Sequence, residues 1–391
     1  MAGKTQGKDT SVLLNAIRNT ASSAYQTAVP LATAENIVDV GEAVLAAPTA
    51  IRNEFMSNLY NKVGLTLIDS PVVENHFAFL KKGTLEHGQM IEDIYVGLAQ
   101  SEPYITGMAD GEYPDPFAIR KAEHYSAFYS TILSRQYHQT RHLTDLKKAF
   151  HTPGGVEAFL AGLMNALVSG ENYDDMRASI ALIARQIEEG INASEKPDGK
   201  FKGVVHLITE FNKIDADEQV TKEDALHNKN FLKFMTNQLK KYSKRMNHLR
   251  SDFNIAGVQQ ILPKGKQRIM LLEDITVDFE TELLAWAMNA GRLEVGGVDG
   301  IDSWYSIGSG HGDAETPVTK PEDITIKGTF GKTDAVCIAA IYDEDMVKIY
   351  NKERIASDQA NAKGNYYNVF MSLEDIYACS PYKNFVAFLL D

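Results

Sequence analysis

The sequence predicts an α+β protein, on three observations. Apolar residues recur at helical spacing over 12–63 and again over 156–187, whereas the last third is broken into short β-type runs. At 391 residues, 44% of them hydrophobic, the chain has room for roughly two or three domains and enough apolar surface to bury a core.

From the N-terminus, Val12, Leu13, Ala16 and Ile17 predict a short amphipathic helix. Thr33 suits the N-cap of a second, which carries Ile37, Val40, Val44 and Leu45 before Pro48, and Ile51, Phe55, Leu59 and Val63 mark a third. Short helices with narrow stripes, separated by Pro30 and Pro48, read as an arm laid over other surfaces rather than as a self-contained bundle. Gly64 ends the arm, and GLTLI (64–68) opens a strand-rich stretch that runs to residue 110.

Inside that stretch, residues 76–96 read as two strand-forming arms joined through Lys81-Lys82-Gly83 and Gly88, a ribbon without an evident core. A lone two-stranded ribbon is marginal in water, so it needs a surface to lie on. Another copy of the same chain is the expected support, and assembly rather than chemistry is the first hypothesis.

Turn residues GEYPDP (111–116) follow. Over 124–138, Tyr125, Phe128, Tyr129, Ile132 and Leu133 fit a helical face as well as a strand, and periodicity alone does not choose. Val156, Phe159, Leu160, Leu163, Met164 and Leu167 then form a clean helical stripe after Pro153-Gly154-Gly155. Past a break at Ser169-Gly170, Tyr173, Met176, Ile180, Ile183 and Ile187 extend it to Gly190, giving a spine of about 50 Å at 1.5 Å per residue.

INASEKPDGK (191–200) is the best domain boundary. Beyond it come a strand at GVVHLI (203–208), a helix over 222–247 marked by Leu232, Met235, Leu239, Tyr242 and Met246, and a helix over 278–290 with Leu283, Leu284 and Trp286. Strands follow at ITI (324–326), AVCIAAIY (335–342), MVKIY (346–350), YYNVFMSL (366–373) and NFVAFLL (384–390).

Acidic residues outnumber basic ones 52 to 39, a net charge of −13 that argues against general affinity for phosphate backbones. Cys337 and Cys379 sit in apolar runs without metal spacing and read as buried free thiols of a protein made in a reducing cytoplasm. The polar start MAGKTQGKDT is no secretory signal, and no apolar run is long enough to span a membrane.

The chemical motifs fail on their own requirements. GTFGKT (328–333) supplies Gly331-Lys332-Thr333 of a phosphate loop, but Ile326 stands where the wrapping glycine is needed. In IGSGHGD (307–313), Ile307 and His311 occupy the glycine positions of a nucleophile elbow around Ser309, so a surface loop is the better reading. His138 and His142 have the spacing of helical metal ligands, yet Gln139 replaces the general-base Glu, and His124 and His151 are scattered. Asp174-Asp175 and Glu188-Glu189 read as solvated helix surface. No catalytic residue, metal or cofactor is expected.

The strongest cationic run spans 233–250, with Lys233, Lys240, Lys241, Lys244, Arg245 and Arg250 interleaved with Tyr242 and His248. Its readings are a solvated face, an intersubunit salt-bridge patch centred on Lys240, Lys241, Lys244 and Arg245, or a nucleic-acid contact. Cations near a helix C-terminus also suit its dipole.

Several segments, in order, resemble the major capsid proteins of phi29-like small tailed phages: VPLATAENIVDVGEAVL (29–45), GLTLI, FLKKGTLEHGQMIEDIY (79–95), YHQT (137–140), DLKKAF (145–150), MLLEDI (270–275), DEDMVKIYN and NFVAF. Residues 190–265 match poorly. The resemblance implies a Hong Kong 97-like capsid fold. Its parts here would be an N-terminal arm (1–62), an extended loop (63–110), a peripheral domain (111–191) with spine helix 156–190, an axial domain (192–364), and C-terminal strands (365–391) returning to the sheet. It also implies that Phe77, Phe79, Lys81, Lys82, Ile91, Ile94 and Tyr95 make intersubunit contacts from the extended loop.

Neither the immunoglobulin-like domain of some relatives, after Asp391, nor the lysine crosslink of distant members, at Lys81 or Lys82, is expected. The implied function is an icosahedral head shell enclosing double-stranded DNA, assembled in the host cytoplasm. Its partners are copies of itself in pentamers and hexamers, a scaffolding protein and a portal, with DNA enclosed but not specifically bound and no membrane. The alternatives are a soluble cytoplasmic two-domain enzyme with an unrecognised site, or an encapsulin-like shell protein.

Overall fold

The structure, a computed structural model, describes residues 2–33, 35–63, 73–85, 90–99, 101, 117, 119, 121–130, 132–142, 155–197, 199–214, 219–273, 297–308, 323–331 and 334–391. The expected elements at 64–68, 111–116 and 278–290 lie outside these, as do Gly88, His151 and residues 309–313 of the glycine-rich run. The chain divides into two units. One comprises Met1–Asn75, Ser134–Asp175 and Glu353–Glu374, the other His76–Leu133, Met176–Lys352 and Asp375–Asp391.

The first unit begins with four helices, α1 (Ala2–Thr20), α2 (Ser23–Ala28), α3 (Ile37–Ala46) and α4 (Thr49–Val63). They do not lie as separate stripes on foreign surfaces. Leu14, Ile17, Tyr25, Val40, Val44, Phe55 and Leu59 are buried in one cluster that also takes Tyr367, and Tyr25 stacks on Phe55 with ring centroids 6.4 Å apart. The narrow stripes suffice because each helix supplies only a few side chains to a shared core. α2 has no periodic signature, and starts because the Ser22 hydroxyl accepts from the Tyr25 amide. α3 starts at Ile37 after Asn36, whose Oδ1 accepts from the Thr33 amide, so Thr33 is not its cap.

The same unit holds most of β4 (Ile132–His142) and the adjoining parts of β11 (Val347–Asn361) and β12 (Tyr366–Cys379). Gln136 and Thr140 of β4 hydrogen-bond across to Ser372 and Asn368 of β12. The opposite face of β12 buries Val369, Met371 and Leu373 with Leu167 of α5 (Gly155–Ser194). The ambiguous 124–138 segment is therefore β, and His138 and His142 sit on a strand, where four residues span about 13 Å. They contact the rings of Phe370 and Tyr366 instead.

α5 is one uninterrupted helix through Ser169-Gly170 and passes between the units at Asp175/Met176. Asp174 and Asp175 are not solvated surface. Both are buried, Asp175 ion-pairing with Arg135 and Asp174 accepting from the Tyr137 hydroxyl at 2.9 Å. The Tyr137 hydroxyl is pushed up, first by burial and also by that carboxylate. Glu188 and Glu189 are partly exposed, paired with Lys327 and Arg185.

The second unit is built on a five-stranded sheet ordered β5 (Val204–His206), β13 (Phe385–Leu390), β10 (Val336–Asp343), β6 (Gln267–Leu272), β7 (Gly297–Ile301). β13 and β10 are near-continuous apolar runs because both sheet faces are covered. Phe385, Ala387 and Leu389 join the cluster with Ile180, Ile183 and Ile187 of α5, while Val386, Phe388 and Leu390 join Phe231, Met235 and Leu239 of α7 (Lys229–Met246). In β10 the alternation slips where the register shifts between Cys337 and Ala339, so consecutive Ile338 and Ala339 face one side.

GVVHLI is only part strand, since α6 (Leu207–Ile214) begins within it. The Asp391 carboxylate accepts from the Ile208 and Thr209 amides and supplies the helix with its N-terminal partner. β8 (Trp304–Ile307) and β9 (Ile324–Lys327) form a separate antiparallel pair.

Candidate functional site

The two arms of the expected 76–96 ribbon do not pair with each other among the described residues. β1 (Lys81–Thr84) runs parallel to β11, with Lys81 opposite Ile349 and Thr84 opposite Asn351. β2 (Ile91–Val96) instead pairs antiparallel with β3 (His124–Tyr129), from Ile91 opposite Tyr129 to Val96 opposite His124. Both arms thus find strand partners from outside 76–96, which local sequence cannot show.

Residues opposite one another across β2 and β3 share a face. On one face, Tyr95 is 8% exposed and clusters with Val258 and Tyr382. Its hydroxyl donates to the Gln259 carbonyl at 3.0 Å, and the Ser380 hydroxyl donates to Asp93. Burial, reinforced by Asp93, raises the hydroxyls of Tyr129 and Tyr382 above their ordinary range. On the other face, Ile94, Val96 and Phe128 are 54%, 61% and 59% exposed.

The other expected contact residues divide sharply. Phe77 is 1% exposed and sits with Leu80 in its own unit's core, so it has no surface to offer a neighbour. Phe79 packs against the same core, with the Arg268 guanidinium 4.0 Å from its ring centroid. Lys81 and Lys82 are both exposed, and Lys82 pairs with Asp345 at 2.9 Å. Ile91 is half-buried and Tyr95 turns inward. Of the apolar members only Ile94 lies on the outward face, and Val96 and Phe128 join it there. Phe128 lies in the segment whose periodicity fits two structures.

The basic helix is α7. It buries Phe231, Leu232, Met235, Leu239, Tyr242 and Met246 and exposes Lys233, Lys241, Lys244 and Arg245, with Lys240 half-buried. Lys241 and Arg245 lie 5.4 and 5.5 Å from the centroid of the Tyr242 ring. The Lys240 ammonium is pulled below its ordinary value by desolvation and by the neighbouring Lys244 charge. No group of His, Cys, Asp and Glu suited to a metal exists among the described residues, and none of their helices is long and apolar enough to cross a membrane.

A surface of this kind suits association between chains. The family profile "Phi29-like phage major capsid protein" matches residues 14–389. The major capsid protein of Bacillus phage B103 is 25% identical over 388 residues, spanning 99% of this chain and 74% of that protein. That of Bacillus phage PZA is 23% identical over 378 residues, spanning 96% and 72%. The capsid structure of Staphylococcus phage Andhra matches with a TM-score of 0.57 at 12% identity, over 83% of this chain and 87% of that one, and shows the fold. The enzyme and encapsulin-like alternatives find no support. With the family profile covering nearly its whole length on a Hong Kong 97-like fold, the chain belongs to the phi29-like phage major capsid proteins, structural subunits of the virion that associate with their own copies.

Proposed function

We propose that the outward face of the β2–β3 ribbon seats on a neighbouring copy, and that such contacts, repeated through pentamers and hexamers, close the head shell. One observation carries this reading. Ile94, Val96 and Phe128 stand together, each more than half exposed, on a ribbon whose other face is already occupied by Tyr382 and Val258. Clustered exposed apolar side chains mark contact surfaces. Covering these three contributes about 1 kcal/mol each, at roughly 25 cal/mol per Å² of apolar surface. Many weak contacts then add up to a stable shell whose individual joints remain reversible.

In this reading a scaffolding protein guides assembly in the host cytoplasm, a portal occupies one vertex, and DNA is enclosed without specific binding. The chain's net charge of −13 supports the last point. The test is a triple variant, Ile94→Ser, Val96→Ser and Phe128→Ser, examined by electron microscopy and light scattering with and without the scaffolding protein. Folded subunits that fail to form shells are expected. Normal shells would overturn the role of this face.

A further inference from the structure

α7 contains six cations, Lys229, Lys233, Lys240, Lys241, Lys244 and Arg245, and no acidic residue, in a chain whose net charge is −13. Four of the six crowd its C-terminal turns, and Arg250, already paired with Asp252 at 2.9 Å, follows. At the other end, exposed Glu223 and Asp224 precede the Asn228 cap. Lys222 donates to the Asp334 carbonyl, which brings exposed Asp334 to the same end. One surface element about 27 Å long therefore has three acids, with Lys222 and Lys229 among them, flanking its start, and four cations at its end.

The helix dipole accounts for the signs, since acids suit the N-terminus and cations the C-terminus. It does not account for the density. Lys240 and Lys244, and Lys241 and Arg245, are like-charge pairs at i, i+4, a spacing that destabilises a helix. An acidic partner turns that repulsion into attraction. Copies that each carry −13 repel one another, so a subunit contact gains most where this basic end meets acid.

We propose that the basic end of α7, centred on Lys241 and Lys244, docks against the Glu223 and Asp334 edge of a second copy, head to tail. A contact using two different patches leaves each copy with one of each to offer, so it propagates around a ring; a self-paired contact stops at two. The proposal rests on the shell-forming reading above and names a second joint, distinct from the ribbon.

Charge reversal on each side, then on both, tests it under conditions where the wild-type chain forms shells. Lys241→Glu with Lys244→Glu, and separately Glu223→Lys with Asp334→Lys, are each expected to lower the light-scattering assembly rate by about tenfold or more, and the combined variant to recover most of it. Thermal melting monitors folding. Should a reversal melt early, Lys241→Gln with Lys244→Gln serves instead, with a smaller loss that high salt does not deepen. Wild-type rates in both one-sided variants, or no recovery in the combination, overturn the joint and leave the shell reading intact. A wild-type chain that stays monomeric under all conditions overturns both.

Discussion

The ring of Tyr95 stacks on that of Tyr382 with centroids 5.8 Å apart and planes 30° apart, while its hydroxyl reaches the Gln259 carbonyl at 3.0 Å. A ribbon that is marginal in isolation is thereby fixed by its own chain through one face. The other face is left outward, so anchoring and presentation are divided between alternate residues of the same strand.

Tyr95→Ala should loosen the ribbon without unfolding its unit, because the cluster it joins is small and separate from the two large cores of that unit. Removing a buried aromatic side chain costs about 3 kcal/mol locally, and hydrogen exchange over 91–96 should accelerate by about a hundredfold or more. Tyr95→Phe loses only the hydroxyl bond, about 1 kcal/mol. Unchanged protection in Tyr95→Ala would show that the ribbon is held by other contacts.

The Arg135–Asp175 ion pair is buried, with side chains only 4% and 3% exposed. Cutting one partner strands the other in a poorly solvated place, which costs about 3–5 kcal/mol. Asp175→Ala should therefore lower the urea midpoint far more than Glu189→Ala on the same helix, where the partner Arg185 stays 41% exposed. Equal midpoints would mean that water reaches the Arg135 site.

How much was legible follows from the range over which each feature is specified. NFVAFLL could be read as a buried strand because six consecutive apolar residues satisfy a sheet covered on both sides, whatever its neighbours. The β1–β11 parallel pairing could not, since it joins residues about 270 apart with no local signal. Asp174-Asp175 misled because charged pairs on helices are usually solvated, and Arg135 lies forty positions upstream. Of the three outward apolar side chains the sequence singles out Ile94 and not Val96 or Phe128, because the inward and outward faces of a ribbon alternate identically and only packing tells them apart. The burial of Phe77 is of the same kind, an aromatic whose core lies mostly a hundred or more residues away.

Gly190 of α5 approaches a pair of rings so closely that a Cβ there would lie 2.6 Å from Phe385 Cζ and 2.9 Å from Phe201 Cε1. The two rings pack at 5.0 Å between centroids where β13 begins, both buried and so with little room to retreat. Gly190→Ala should destabilise by about 1–3 kcal/mol, the usual range for overpacking, although alanine is the better helix former. A variant as stable as the parent in urea would show that the rings can swing aside.

Asp345, at the β10–β11 turn, accepts from Lys82 at 2.9 Å and from Lys266 at 3.1 Å, which ties β1 to that turn. Burial by itself raises its carboxyl, but the hydrogen bonds and charges of the two lysines override this and hold it down to about 2. With the folded value below the unfolded one, folding favours the ionised form. The stabilisation is complete above the ordinary carboxylate range and drains away as pH falls from about 5 toward 2. Partial solvent exposure reduces its size to about 1 kcal/mol. Lys266 is raised by the same contact, and its share is lost only at alkaline pH, so it does not confuse the acid limb. In urea unfolding at pH 7 and at pH 3, Asp345→Asn should be the weaker protein at both, with the gap at pH 3 shrunk to about half of that at pH 7. A gap that stays constant between the two pH values would mean that Asp345 acts through packing rather than charge.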